Sequence, residues 1–470
     1  MPGAARRLRM RSAIDAPSLA RFRGRFAGEV VLPGDADYDR SRVVWNAIAD
    51  RRPAIIARCA RSDDVVAAVR FAREQNLLIA VRGGGHSVAG FSTCDGGIVI
   101  DLSLMREVTV DPQRRVAIAQ GGAHLGQLDK LAQEHGLACP VGVVAHTGVA
   151  GLTLGGGMGR LQRKLGLTID NLLGVDIVTA EGRLLHVSND ENADLFWGIR
   201  GAGANFGVVT SFELKLHPVG PTVTQGFALH PTDRLPKVAA LFREFVATVP
   251  DEVFANIGFG TATASAPFPP QMAGRGYMAV GATHSGSPAD AKQALWPLRG
   301  LNPALDTFGP KPYLTLQSMN DDAMAWGKRF YMKTGYIDEL SDAALEVCAA
   351  QVAVAPGGDC EVGLWAQGGA IARVPESAMA FTGREAGYWL GIEAFWSDPE
   401  EDDAHIAWGR ATMAALKPFT RPGNYVNDVV ESDVDVVRAI YGDEKYQRLV
   451  GLKRTYDPDN AFRLNQNIRP

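Results

Sequence analysis

Three glycines run directly into a histidine at the end of the apolar stretch LLIA, in Val81-Arg82-Gly83-Gly84-Gly85-His86-Ser87-Val88-Ala89-Gly90. A helix or strand interior makes poor use of such a run, because glycine gives up more backbone freedom on folding than any other residue. What the run does suit is a tight loop whose backbone approaches something else closely. Its successive N–H groups can then form a nest for an anion such as pyrophosphate. Three further stretches share the character: HTGVAGLTLGGGMG (146–159), GVDIVTAEG (174–182) and GAGANFG (201–207). Taken singly, each reads as a turn between strand and helix. GAGANFG nearly spells the dinucleotide fingerprint, but its spacing is GxGxxxG, a helical ADLFWGIR precedes it and a strand-like VVTSFEL follows. No helix N-terminus is offered to a phosphate there, so a dinucleotide fold of that kind is rejected.

Around these loops the chain alternates short β-like runs with amphipathic windows from about Pro53 to Leu216. AIIARCA, LLIAVRGGG, GIVIDLS, VTVD and RRVAIAQGG read as strands. SDDVVAAVRFAREQ reads as a helix capped by Ser62, and HLGQLDKLAQEHG as a helix closed by Gly136. VDIVTAEGRLLHVS is a hairpin, and NFGVVTSFELKLHPV closes the region. The turn Pro-Val-Gly-Pro at 218–221 marks a boundary. Beyond it aromatics and prolines rise, and runs such as YMAVGATHSG and EAGYWLGIEAFWSD predict an antiparallel sheet, with helices such as DRLPKVAALFREFVAT over one face. The last segment is a helix followed by an asparagine-rich tail. The expected class is α+β.

Length and composition narrow the function. With 470 residues, 46% of them hydrophobic, the chain can bury a large core and carry more than one lobe. Its 48 basic and 52 acidic residues leave a net charge of −4, which argues against nucleic acid or an anionic membrane surface as partner. The five cysteines are scattered without CxxC or ligand spacing, so no metal site and a reduced, cytoplasmic setting are expected. Arg6, Arg7, Arg9 and Arg11 lead into no apolar export segment, and no run is long enough to span a bilayer. Oligomeric state is not set by any of this.

His86 has no second ligand at metal spacing, and Ser87 points away from it on an extended loop. What remains is a neutral imidazole at the rim of a phosphate-binding loop, suited to attack on an electrophilic cofactor carbon. RGGGHS, GGIVIDLS, VVAHTGVAGLTLGGGMGRLQRKLGLTIDNLL, VTAEG, DLFWGIRGAGANFGVVTSFE and YDPDNAFRLNQNI occur in this order. The set resembles the berberine-bridge-enzyme-like branch of the vanillyl-alcohol oxidase flavoprotein superfamily, most strongly over residues 50–216 and 440–468.

The resemblance implies a two-lobed PCMH-type FAD-binding domain at 50–220, after an N-terminal segment at 1–49. It also implies a substrate domain with an antiparallel sheet covered by helices at 221–430, and a C-terminal segment at 431–470 that returns to the FAD domain. Arg82 to Gly90 would wrap the pyrophosphate, with Gly83, Gly84, Gly85 and Ser87 in the loop, and His86 would be bonded to the 8α-methyl carbon of the flavin. Thr147, Gly148, Gly151, Thr153 and the Gly155–Gly159 run, including Gly156 and Gly157, would line the other side. Ile177-Val178 would lie against the adenine, and Asn465 and Asn467 would reach the flavin ring. A second link through cysteine, common in the family, falls here on Val144; Cys139 is five residues upstream and out of register, so a single link is expected.

The implied reaction is hydride transfer from a small organic substrate to flavin N5, with oxygen reduced to hydrogen peroxide. Tyr425, in a Tyr-x-Asn strand, is the candidate base. The resemblance makes His146 a second catalytic candidate, since it would line the oxygen-side cavity with Thr147, while Tyr336 and Trp365 would shape the pocket. The alternatives are a flavin dehydrogenase using another acceptor, a natural-product tailoring flavoenzyme, and a non-catalytic flavin-binding module.

Overall fold

A computed structural model describes residues 14–264 and 267–470; Arg6, Arg7, Arg9 and Arg11 lie outside the described residues. Continuous apolar runs build the first sheet from β1 (Glu29–Val31), β2 (Ile55–Arg58), β3 (Ile79–Arg82) and β4 (Ile98–Asp101), in the order β1-β2-β4-β3. The last three strands are parallel. Ile55, Ile56, Ile98, Val99 and Ile100 are all fully buried, as a sheet covered on both faces requires. The helix Ser62–Glu74 packs on it through Val65, Ala68 and Val69. Ser62 does not cap this helix: it is the first helical residue, and Arg61 holds the cap position. The buried Asp64 carboxylate instead accepts from the amides of Ala60, Ala27 and Gly28, tying two incoming loops to the helix start.

Next come β5 (Val108–Asp111), β6 (Val116–Gln120), β7 (Leu137–Ala138), β8 (Leu172–Thr179), β9 (Leu184–Ser188) and β10 (Gly207–Lys215). All but β7 form a five-stranded antiparallel sheet in the order β5-β6-β10-β8-β9, while β7 pairs with β11 (His217–Pro218). The hairpin expected from VDIVTAEGRLLHVS is β8–β9. GAGANFG lies between the helix Ala193–Ala202 and β10, the context that excludes the dinucleotide fingerprint.

After the cis Gly220-Pro221 bond the chain enters the largest sheet. It contains β12 (Thr222–Pro231), β13 (Val253–Thr261), β14 (Gly276–His284), β15 (Leu305–Asp306), β16 (Gly309–Pro312), β17 (Arg329–Ile337), β18 (Cys360–Ala366) and β19 (Tyr388–Trp396). The order is β15-β12-β14-β13-β18-β19-β17, with β16 also on β12, and every pairing is antiparallel. Alternation divides the two faces. Val253, Ala255, Ile257 and Phe259 join the core under the helices Leu235–Thr248 and Asp342–Val352, whereas Phe254, Asn256 and Gly258 face a cavity.

The chain then returns to the first lobe. Tyr425 is not on a strand: it sits in a loop and starts the single 3-10 turn Val426–Asp428. The helix Val434–Tyr456 follows, broken at Gly442. Its fully buried Lys453 donates to Asp457 Oδ2 (2.7 Å) and to the carbonyls of Asn205 (2.7 Å) and Phe462 (2.8 Å), fastening the terminal tail. Buried Arg384 reaches across from the large-sheet lobe to grip both oxygens of Asp170.

Candidate active site

Between the glycine loops and the open face of the large sheet lies a cavity of about 850 Å³. The loop after β3 supplies Gly83, Gly84, Gly85, His86 and Ser87 to its wall. The backbone amides of Gly83 to Ser87 find no acceptor within the protein among the described residues. Glycine is required at Gly84, since a Cβ there would land on the Gly148 amide, and one at Gly148 would land on Gly84. The two glycine blocks thus interlock backbone to backbone. Gly85 adopts φ +73°, a left-handed conformation that turns the chain toward His86.

His86 stacks on Trp45 (4.7 Å between ring centroids, 17° between planes) and meets Trp326 edge-on. Its Nε2 lies 2.6 Å from His146 Nδ1. Burial first, then the neighbouring His146 and His124, push the His86 imidazole down to about 3, so it is neutral in the physiological range. On the far side, the Tyr425 hydroxyl oxygen accepts from the Gly157 amide (2.9 Å) and from Asn427 Nδ2 (2.9 Å). Burial raises its pKa, with Asp428 adding to the effect, while the hydrogen bonds from Gly157 and Asn427 oppose the rise. Glu361 and Glu393, opposite each other on β18 and β19, turn into the cavity with Asp428, which accepts from the Trp389 indole at 3.1 Å. Burial, and then Glu361, lift Glu393 to about 7, so this carboxyl can hold or release a proton near neutrality.

Two family descriptions match this chain: "FAD binding domain" over residues 53–188 and "Berberine and berberine like" over residues 423–469. The FAD-linked oxidoreductase DDB_G0289697 of Dictyostelium discoideum is 32% identical over 452 residues, covering 94% of this chain and 95% of its own. (R)-6-hydroxynicotine oxidase of Paenarthrobacter nicotinovorans is 32% identical over 460 residues, covering 94% and 97%. The chain belongs to the berberine-bridge-enzyme-like FAD-linked oxidoreductases. The solved structure of 6-hydroxy-D-nicotine oxidase from Arthrobacter nicotinovorans superposes with a TM-score of 0.83 at 30% identity, over 95% of this chain and 98% of that one. For the fold alone, Physcomitrella patens BBE-like 1 gives 0.86 at 23% identity over 96% and 99%.

The cavity of this FAD-linked oxidoreductase fits the cofactor on its own chemistry. It offers a nest of unpaired amides, apolar walls at Ile79, Val81, Leu102 and Val209, and the unpartnered oxygens Ser92 Oγ and Asn465 Oδ1 at buried positions. Gly83 to Ser87, Thr147, Gly148, Gly151, Asn465, Tyr425 and Trp365 all line it, as does Val144.

Several other expected residues do not reach the cavity. Arg82 turns its side chain away to Asp101 and the Ser41 and Val43 carbonyls. Thr153 is fully buried, and Gly156, Gly157 and Gly159 pack behind the wall against Phe381, Thr168 and Val141. Ile177 is fully buried behind Gly207, which with Val209 forms the wall at that level. Asn467 does not line the cavity, and its Oδ1 is buried without a partner. His146 stands behind His86. Tyr336 is buried away from the space, donating to the Thr382 carbonyl. Cys139 is fully buried and off the wall, its thiol pKa raised by burial.

Sequence reasoning missed the Gly201–Asn205 loop as wall, although its glycines were the signal. It also missed Trp45, Arg160 and the carboxyls Asp359, Glu361, Glu393 and Asp428, whose placement has no local signature.

Proposed function

We propose that the protein is an FAD-dependent oxidase that carries its flavin covalently on His86 and oxidises a small organic substrate under the large sheet. Bound there, FAD supplies the redox chemistry, accepting a hydride at N5 and returning the electron pair to molecular oxygen as hydrogen peroxide. The observation that carries this reading is the neutral His86 imidazole beside the unpaired amide nest, lining the same cavity as Tyr425.

His86 Nε2 and His146 Nδ1 share a hydrogen bond of 2.6 Å; in the tautomer in which Nε2 donates, His86 would keep the lone pair of its Nδ1 for attachment. Attachment would replace one C–H bond of the flavin methyl group by the bond to His86, the electron pair of that C–H passing to the flavin and on to molecular oxygen, and His146 would take the Nε2 proton that the alkylated His86 ring gives up. Trp45 fixes the ring plane by stacking. Tyr425 is the candidate proton acceptor for the substrate: two N–H donors already stabilise charge on its oxygen, which offsets part of the cost of burial. The attachment is single, because the cysteine position of a second link is Val144. Five free, buried cysteines suit a cytoplasmic location.

Acid denaturation tests the attachment: the denatured protein should keep its flavin, and His86→Ala should release it. Complete release from the wild type sinks the claim. Peptide mapping should find flavin on the His86 peptide and none on that of Cys139. Peroxide release during turnover in air supports the oxidase; turnover only with an artificial acceptor under nitrogen makes the protein a dehydrogenase. A flavin that no phenol, sugar, amine or alcohol bleaches would leave a binding module.

A further inference from the structure

Arg160 is 9% exposed and lines the cavity immediately after the glycine run, yet its guanidinium makes no hydrogen bond or ion pair among the described residues. Its Nη1 is buried without any partner. A charge taken out of water this far is almost always paired, because its desolvation is otherwise uncompensated. The carboxyl in its neighbourhood, Asp129, is engaged elsewhere: Gln317 Nε2 (3.2 Å) and the Tyr313 hydroxyl (3.4 Å) both donate to it. Burial also lifts Asp129 to about 7, so it supplies only part of a counter-charge.

A second cation stands close by. Lys311 on β16 donates to Gln225 Oε1 at 2.8 Å, and Gln225 on β12 lines the same end of the cavity. Burial and then the Arg160 charge hold the Lys311 ammonium below its usual pKa. Of the carboxyls that face the cavity, Asp359 and Glu361 lie at the start of β18, Glu393 is opposite on β19, and Asp428 is held against β19 by the Trp389 indole. Strand β18 is three places from β12, roughly 14 Å at the ordinary spacing between strands. Arg160 and Lys311 therefore form a cationic corner in which, among the described residues, neither cation makes an ion pair and Asp129 supplies only part of a counter-charge. Arg160 comes to it from the FAD-binding segment, while Lys311 and its partner Gln225 come from β16 and β12 of the substrate lobe.

We propose that Arg160, backed by Lys311, anchors a carboxylate of the substrate, so that this site takes organic acids in preference to their neutral counterparts. The proposal rests on the oxidase reading above for the word substrate. The guanidinium fork matches a carboxylate in shape and charge. Seated there, such a substrate projects its remaining body over β14 and β13 toward Trp365.

Calorimetric titration of the FAD-loaded protein with trans-cinnamate and with cinnamamide, equal in shape and different in charge, tests the anchor. Cinnamate should bind at least about tenfold more tightly than cinnamamide. Arg160→Gln should weaken cinnamate by about tenfold to a hundredfold and leave cinnamamide within about twofold. Arg160→Lys should keep part of the preference, and Lys311→Gln should lose a smaller part. Flavin content and absorbance of Arg160→Gln should match the wild type. No preference in the wild type, or no binding of either probe, overturns the proposal. So does an Arg160→Gln protein that keeps its cinnamate affinity while losing flavin or shifting its spectrum, for Arg160 would then serve the cofactor. A protein that holds cinnamate through Arg160 but whose flavin no substrate bleaches keeps the anchor and refutes the oxidase instead.

Discussion

Tyr425 is held by what donates to it. Because the Gly157 amide and Asn427 both point hydrogens at its oxygen, Tyr425→Phe removes an acceptor from two buried donors. The variant should lose about 1–3 kcal/mol of stability, read by denaturant unfolding, even though the ring is kept. If Tyr425 accepts the substrate proton, flavin reduction should slow roughly a hundred- to ten-thousand-fold while reoxidation by oxygen is unchanged, measured by stopped flow on the two half-reactions. Unchanged reduction would leave Tyr425 as a packing residue. Asp129 makes a prediction of opposite kind. Its folded pKa of about 7 exceeds the ordinary 3.8, so between those values the folded state binds more protons than the unfolded one. Stability from this group is therefore full below about pH 4 and is lost as pH rises through 7, on the order of a few kcal/mol in all. Asp129→Asn, which mimics the protonated carboxyl, should flatten that slope, so its melting temperature relative to wild type should rise from pH 5 to pH 8. A constant difference would mean that Asp129 is ionised throughout.

At the scale of elements, the site is built where the loop after β3 meets the loop before the helix Val149–Gly155. Gly84 and Gly148 approach so closely that neither has room for a methyl group. Gly84→Ala must push the two loops apart, at a cost of about 1–3 kcal/mol, and should weaken FAD retention more than it lowers the melting temperature. Absorbance of the purified variant at equal protein concentration reads the first, and calorimetry the second. Full flavin occupancy in Gly84→Ala would show that the interlock does not shape the nest. The large sheet works by a different rule. Its period of two sends alternate residues of β13 to the helices and to the cavity, so Phe254, Asn256 and Gly258 become wall while their neighbours become core.

For the whole molecule, the two lobes and the tail are joined by a few buried charges. Arg384 grips Asp170 across the lobes, and Lys453 ties the tail to Asp457, Asn205 and Phe462. Asp457 in turn accepts from the Ala461 and Phe462 amides, which sets the path of Leu464, Asn465 and Gln466 into the cavity. Lys453→Met leaves Asp457 buried and unpaired, a change that typically costs about 3–5 kcal/mol. Thermal unfolding should show a large drop, and limited proteolysis should cut the tail first. A melting temperature equal to wild type would mean that the tail docks without the ion pair.

Glycine-rich loops and alternating strands were legible in the sequence because their requirements are local. A left-handed turn or a pleated face shows its demand in the residues themselves, and Gly83 to His86, Gly148 and the two faces of β14 and β19 follow from that. Ordered glycine blocks also carried the family, and with it FAD. Partners distant along the chain were not legible. Gly157 and Tyr425 are 268 positions apart, and Trp45 is held through its indole by the Met324 carbonyl, 279 positions away. Which glycines of the second block face the cavity and which pack behind it depends on Phe381, Thr168 and Val141 arriving from elsewhere. By itself the sequence determined the loops, the strand periodicity and the cofactor family. Only the tertiary structure decided which side chains share the cavity and which charges, Arg160 among them, are left there without a partner, because burial and pairing are properties of the packed chain and not of any segment.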